Sequence, residues 1–284
     1  MNLFVRLVYL YDVFYRIYMR VVGIIQPETQ ATTLFGAKVR CLRTDFIQRR
    51  IAFFGLFEPN LTYFISRTLK PGDTFIDVGA NIGYFTMLGS KRVGLDGKVY
   101  AIEAAPSTYD LLLHNLALNG MNNVQAFNLA ATDKECQVRI KLVDRRNIGH
   151  NEVEVIAGSE ANSITGRPLS AIVGADMEKA KLIKVDVEGA EGMILPGLLH
   201  DLQAADSDTI IVSEVSKDSA YLIDLAKESG FFVQALRNDY SIAHLLIRSM
   251  LRLTGEGQFF VLQDVDSYLG QKYDYVFSRR RLCY

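Results

Sequence analysis

The chain has 284 residues, 49% of them hydrophobic, which suits one large α/β unit with a buried core and excludes a disordered polypeptide. Its 31 Lys and Arg against 32 Asp and Glu leave no long-range field to gather nucleic acid, so no nucleic-acid partner is expected. Cys41, Cys136 and Cys283 are far apart and lack the close pairing of zinc or redox sites, which reads as free thiols in a reducing, cytoplasmic setting.

Residues 1–25 are apolar and aromatic, but Arg6, Asp12, Arg16 and Arg20 interrupt them, so no stretch is long enough to span a bilayer, and no signal-peptide cleavage pattern follows. On a helix, at about 100° per residue, Asn2, Arg6, Asp12, Arg16 and Arg20 share a stripe roughly 120° wide. Such an amphipathic leader suits packing on its own domain, homodimer contact, or a peripheral place in the inner membrane face with arginines toward headgroups. Short alternating stretches follow in Thr32–Ile47, so residues 1–50 read as a leader region and residues 51–284 as the main domain.

Glu58–Leu69 reads as a helix ending in the turn Lys70-Pro71-Gly72-Asp73, and Thr74–Val78 as a strand running through a glycine segment into a helix at Tyr84–Ser90. A second strand, Lys98–Ile102, ends at Glu103. Pro106 and Ser107 begin the next helix, with Ser107 and Asp110 at capping-box spacing, and Asn119-Gly120 end it before a third strand at Val124–Leu129. This β-α-β-α-β order predicts a doubly wound, parallel α/β sheet that binds cofactors at the carboxyl ends of its strands. Val138, Ile140 and Leu142, a turn at Asn147–His150, then Val153 and Val155 predict an inserted β-hairpin. Buried strands are expected at Lys181–Val185 and Thr209–Val212, a helix at Ala220–Ser229, and final strands at Phe231–Leu236 and Tyr273–Phe277 with a short helix at Ile242–Leu253 between them.

Between the first strand and its helix stands Asp77-Val78-Gly79-Ala80-Asn81-Ile82-Gly83. Glycines there let a ligand approach the backbone, and the helix start offers free N–H groups, which makes Gly79, Ala80, Asn81 and Gly83 candidate cofactor contacts. The Gly79-x-x-x-Gly83 spacing is not the G-x-G-x-x-G of a dinucleotide site. A carboxylate at Asp77 would repel a diphosphate and favour a ligand with an ammonium and a sulfonium, namely S-adenosylmethionine; the alternative is a cap on the turn. Glu103 stands where a carboxylate accepts both ribose hydroxyls of a nucleoside. Ala130 and Asp133 are candidates to line an adenine pocket, with turn capping an equal reading for Asp133.

The chain resembles the FkbM family of methyltransferases over Phe53–Val215. The matching features are Gly55-Leu56-Phe57-Glu58-Pro59, Phe75-Ile76-Asp77-Val78-Gly79-Ala80-Asn81-Ile82-Gly83-Tyr84, Asn119-Gly120, and Ile183-Lys184-Val185-Asp186-Val187-Glu188-Gly189-Ala190-Glu191. The resemblance implies a Rossmann-like methyltransferase sheet, mostly parallel with an antiparallel last strand, a cofactor contact at Glu58, and methyl transfer from S-adenosylmethionine to a hydroxyl of a sugar, glycan or secondary metabolite. Leu169-Ser170-Ala171 departs from the Leu-Asp-Asp common in that family, which puts an acceptor-side acid there in doubt. Transfer to oxygen requires alignment and often removal of a proton. Asp186 is the leading candidate base, followed by Glu188, Glu214 and Glu191; turn-fixing is the alternative for Glu188 and Glu191. Such carboxylates can also hold Mg²⁺, but no metal site is assigned. His150 is a lesser candidate base at the hairpin tip, and Arg279-Arg280-Arg281 reads as a solvated tail. The competing functions are a non-catalytic membrane-associated cofactor-binding module and a nicotinamide-dependent oxidoreductase.

Overall fold

The computed structural model describes residues 13–15, 17–18, 21–23, 25–144, 147–156, 163–187, 189–237, 261–267, 269–270 and 273–283. The leader residues among these are helical, and Tyr15 packs its ring 5.0 Å from Phe53 and 5.4 Å from Phe54. Next come a ribbon of β1 (Glu28–Thr32) and β2 (Lys38–Leu42), then helices α1 (Phe46–Phe54) and α2 (Pro59–Thr68). Helix α1 crosses residue 50. The ribbon is part of the main core, since Ala37, Val39 and Cys41 are buried in the same apolar cluster as Phe64 and Phe75.

Alternating strands and helices follow: β3 (Thr74–Val78), α3 (Tyr84–Val93), β4 (Lys98–Ile102), α4 (Pro106–Leu118) and β5 (Val124–Phe127). After an insertion come α5 (Leu169–Val173), β10 (Leu182–Val185), α6 (Glu191–Ala204), β11 (Ile210–Glu214), α7 (Tyr221–Glu228), β12 (Phe232–Arg237), β13 (Leu262–Asp264) and β14 (Tyr273–Ser278). Among the described residues these strands form one sheet in the order β13-β12-β14-β11-β10-β3-β4-β5. The run from β11 to β5 is parallel, while β14 lies antiparallel between β11 and β12, and the short edge strand β13 is also antiparallel.

Side chains alternate between the two faces, as the period of a strand requires. Phe75, Leu182, Ile210 and Val212 meet the ribbon and α2 to α4, whereas Ile76, Val78, Ile183, Val185 and Ile211 meet α5 to α7. Both faces are covered, which explains the continuous apolar strands. The chain leaves β3 toward β4 and β5, then returns to the other side at β10. The crevice between β3 and β10, at the carboxyl ends of the strands, is therefore the topological switch point where such sheets bind ligands.

The insertion forms a second sheet in the order β6-β9-β7-β8, from β6 (Ala130–Ala131), β7 (Cys136–Asp144), β8 (Asn147–Ile156) and β9 (Ile164–Arg167). The expected hairpin is present, with its turn placed earlier than the sequence suggested. Asn147–His150 belong to β8, and Asn147 pairs with Asp144 of β7. Helix α4 starts at Pro106 with Ala105 as its cap, so Ser107 sits inside the first turn and forms no capping box. The C-terminal arginines are tied down: Arg279 Nη1 donates to the Ser229 carbonyl at 3.1 Å, and Arg281 pairs with Asp264 at 2.7 Å. The helix expected at Ile242–Leu253 lies outside the described residues. No helix among those described is long and apolar enough to cross a membrane.

Candidate active site

A cavity of about 240 Å³ opens at the switch point. The loop after β3 forms its floor. Gly79 and Ala80 each donate a backbone N–H to the Ile102 carbonyl, at 2.9 and 3.0 Å, which ties the loop to β4. Gly79 has a φ of 76°, and a Cβ there would lie 1.7 Å from the Asp186 carbonyl oxygen, so this glycine lets β10 close on β3. Asn81 also takes a positive φ, 50°, and its Oδ1 accepts from the Ile82 N–H at 2.8 Å. Three described non-glycine residues have positive φ, Glu58, Asn81 and Asp206, and the first two line this cavity. Strain of this kind persists where the surroundings over-determine it, as at binding sites.

Glu103 lines the cavity from the end of β4 and locks the loop in place. Its Oε2 accepts from the Asn81 N–H at 2.8 Å and its Oε1 from the Ala105 N–H at 2.9 Å. Each oxygen keeps further acceptor capacity toward a ligand. Burial outweighs these bonds and pushes the carboxyl up to about 7. Ala104, Ala105, Leu129 and Ala130 form a small-residue wall beside it. Asp133 is exposed in the turn after β6 and is not part of that wall.

Asp77 lies beneath the site, not beside the ligand space. It is 0% exposed, accepts from Thr86 Oγ1 at 2.6 Å, and faces Lys184 Nζ at 3.6 Å. The register explains this, since Asp77 and Lys184 are direct partners across β3 and β10 and project to the same face. Burial raises the Asp77 carboxyl, with Lys184 and Thr86 opposing the rise. Lys184 also holds Asp186 Oδ2 at 3.0 Å. Burial alone would lower the ammonium, but the Asp186 and Asp77 charges together raise it, so it stays protonated.

From the ends of β10 and β11, Asp186 and Glu214 line the cavity, together with Val187 and Ala190. Glu188 lies outside the described residues. Glu191 is buried at the start of α6 and accepts from the Gly189 N–H at 2.9 Å, which supports its turn-fixing alternative. Glu58 lines the opposite wall as the residue before α2, beside Phe57, whose N–H donates to the Tyr84 hydroxyl at 3.2 Å. Phe46, Ile47 and Ile51 of α1 and Ile140 of β7 add an apolar rim.

Sequence reasoning missed that rim and, above all, Lys184. Its signal was a lysine inside the apolar run Leu182-Ile183-Lys184-Val185, where a charge needs a buried partner. Among the described residues no group of three or more His, Cys, Asp or Glu side chains is arranged to hold a metal ion.

The crevice at the switch point, the glycine loop and the acid at the end of the second parallel strand define a Rossmann-like, nucleoside-cofactor-binding protein. The profile of the methyltransferase FkbM domain matches residues 77–276, from β3 to β14, and the chain belongs to that family of S-adenosylmethionine-dependent methyltransferases. Similar proteins include Methyltransferase 1 of Beauveria bassiana, 28% identical over 198 residues that make up 60% of this chain and 77% of that one. Another is Methyltransferase sdnD of Sordaria araneosa, 28% identical over 160 residues, 45% of this chain and 61% of that one. Among solved structures, an S-adenosylmethionine-dependent O-methyltransferase from Thermotoga maritima aligns over 90% of this chain and 80% of its own, at 16% identity and a TM-score of 0.44. The fold assignment rests on the strand order itself.

The described residues fit S-adenosylmethionine. Four carboxylates line the cavity, Glu58, Glu103, Asp186 and Glu214, against one lysine whose charge Asp77 already offsets. S-adenosylmethionine brings a net positive charge to such a site, whereas a diphosphate would meet like charge.

Proposed function

We propose that this methyltransferase transfers a methyl group to a hydroxyl oxygen of a small-molecule acceptor, a sugar, a glycan or a secondary metabolite, in the cytoplasm. The observation that carries the reading is Asp186, a carboxylate that lines the cavity at the end of β10 and is held through one oxygen by Lys184. S-adenosylmethionine, when bound, supplies an electrophilic methyl carbon. The work of the chain is to bind, orient and deprotonate.

In this reading Glu103 accepts the ribose hydroxyls, Ala104, Ala105, Leu129 and Ala130 flank the adenine, and Glu58 faces the cationic end of the cofactor. The Gly79–Gly83 loop supplies backbone contacts, and Asp77 acts from below through Lys184. Asp186 accepts the acceptor's proton as the oxygen attacks, and Glu214 orients the acceptor from the neighbouring strand end. The apolar rim from α1 excludes water from the reacting atoms. Labelled S-adenosylmethionine incubated with a metabolite extract is expected to yield a methylated product that is stable to mild base, as an ether is and an ester is not. Asp186→Asn should lower the rate by about 10²- to 10⁴-fold with S-adenosylhomocysteine binding retained. A base-labile product, or an unchanged rate in the variant, would remove this reading.

A second feature favours a place for the leader. Phe14, Ile17, Tyr18, Val21 and Ile25 recur at helical spacing and are all exposed, while Tyr15 on another side of the helix is buried against α1. We propose that this stripe, next in sequence to Arg16 and Arg20, docks on an anionic bilayer surface. Sedimentation with phosphatidylglycerol vesicles is the test, and concentration-dependent self-association without vesicle binding would assign the stripe to a second copy instead.

A further inference from the structure

We infer that Lys184 is a positioning residue for methyl transfer: from within the sheet it grips one oxygen of Asp186 and holds that carboxylate in place at the cavity wall, with Asp77 as its counter-charge. The inference rests on the reading of Asp186 as base.

Lys184 is 3% exposed and sits in the middle of the sheet, where an ammonium costs several kcal/mol unless it is paired. The sheet supplies the pairing through register. Asp77 stands opposite on β3, 3.6 Å away, and Asp186 follows two residues later on the same strand and same face, 3.0 Å away. The Phe85 ring lies 5.2 Å from the ammonium and closes the remaining side. Asp77 Oδ1 has no hydrogen-bond partner, so the nearby ammonium is what compensates its burial. Asp77 thereby holds Lys184 in place, and Lys184 reaches the cavity that Asp77 does not line.

Such a buried ion pair is a poor way to stabilise a fold, because apolar replacements of the whole pair are often neutral or better. Its place at the cavity wall points to a role in the site. Asp186 shares its surroundings with Glu191 of α6, Glu214 at the end of β11, Glu58 before α2, Glu103 after β4 and Asp77 of β3, all of them acidic. Lys184 is the cation among the described residues that line this cavity, and it opposes them all. Holding Oδ2 also fixes the plane of the carboxylate, which aligns the other oxygen toward the acceptor without further loss of freedom on binding.

The test uses the full chain with the acceptor found in the extract experiment. Lys184→Met leaves Asp77 uncompensated, so the double variant Asp77→Asn with Lys184→Met, which removes both buried charges, is measured beside it. In both, kcat is expected to fall about 10- to 100-fold, while the acceptor KM and the S-adenosylhomocysteine affinity stay within about threefold. A double variant that folds and keeps the wild-type kcat would overturn the inference and leave the pair a merely structural one. Asp186→Asn run in parallel separates the two readings. Full activity there removes the base assignment itself, whereas loss of activity there, beside an unchanged kcat in the Lys184 variants, removes only the role of Lys184.

Discussion

The two halves of the cleft hold their carboxylates in opposite ways. On the β4 side, Glu103 is fixed by backbone N–H groups of Asn81 and Ala105, and burial pushes it up to about 7. On the β10 side, Asp186 is held by a full charge, the buried ammonium of Lys184. Backbone donors fix the shape of the first but leave its protonation responsive near neutral pH. A buried ammonium holds the second. In the proposed reading the first meets the adenosyl group and the second meets the acceptor.

Gly79 is the seam between these halves, and breaking it has the largest expected effect. Gly79→Ala would put a methyl 1.7 Å from the Asp186 carbonyl oxygen at a backbone φ of 76°. Strain and displacement together should cost about 3–5 kcal/mol, seen as a drop of about 10 °C in the melting temperature. A variant melting with the wild type would mean that the loop and β10 are not tightly coupled.

A smaller effect sharpens the contrast from the adenosyl side. Glu103→Gln keeps the shape but loses the charge of the carboxylate that we propose accepts the ribose hydroxyls, so S-adenosylhomocysteine affinity should fall about 10- to 100-fold by calorimetry at about pH 8. The folded carboxyl is raised from its ordinary value to about 7. Its contribution to stability is therefore complete at acid pH, below the unfolded value, and is lost as pH rises through about 7. Ligand affinity should run the other way, because the ionised form is the one that accepts the hydroxyls. The smallest effect concerns the leader. Ile17→Glu with Val21→Glu, both exposed positions, should abolish vesicle sedimentation while changing the melting temperature by about 1–2 °C and leaving transfer to a dissolved acceptor unchanged.

Much of the fold was legible because its signals are local. Val78 running into Gly79, and Ile102 into Glu103, marked strand ends, and the positions of these strands match those observed. The β-α-β order placed a cofactor at the carboxyl ends of the strands, while the switch point itself had to await the strand order. The partners across strands were not legible, because register is a tertiary property: nothing local says that Asp77 and Lys184 face each other, and so Asp77 was read as a ligand contact when it is the counter-charge of a buried lysine. Asp133 was grouped with Ala130 because the two are close in sequence, yet Ala130 lines the cavity while Asp133 is exposed outside it. The hairpin turn was misplaced because the polar run Asn147–His150 resembles a loop, although its backbone already pairs with β7. The rim from Phe46, Ile47 and Ile51 is invisible to motif reading, as helix α1 meets the cleft only through tertiary packing.

An ionised Glu103 in this acid-lined crevice is proposed to hold the nucleoside cofactor. Calorimetric titration of the wild-type chain with S-adenosylhomocysteine, at about pH 5.5 and about pH 8, tests it directly. Saturable binding at both, several-fold tighter at the higher pH, is the expected result. No heat with S-adenosylhomocysteine or S-adenosylmethionine, alongside binding of NAD, would contradict it.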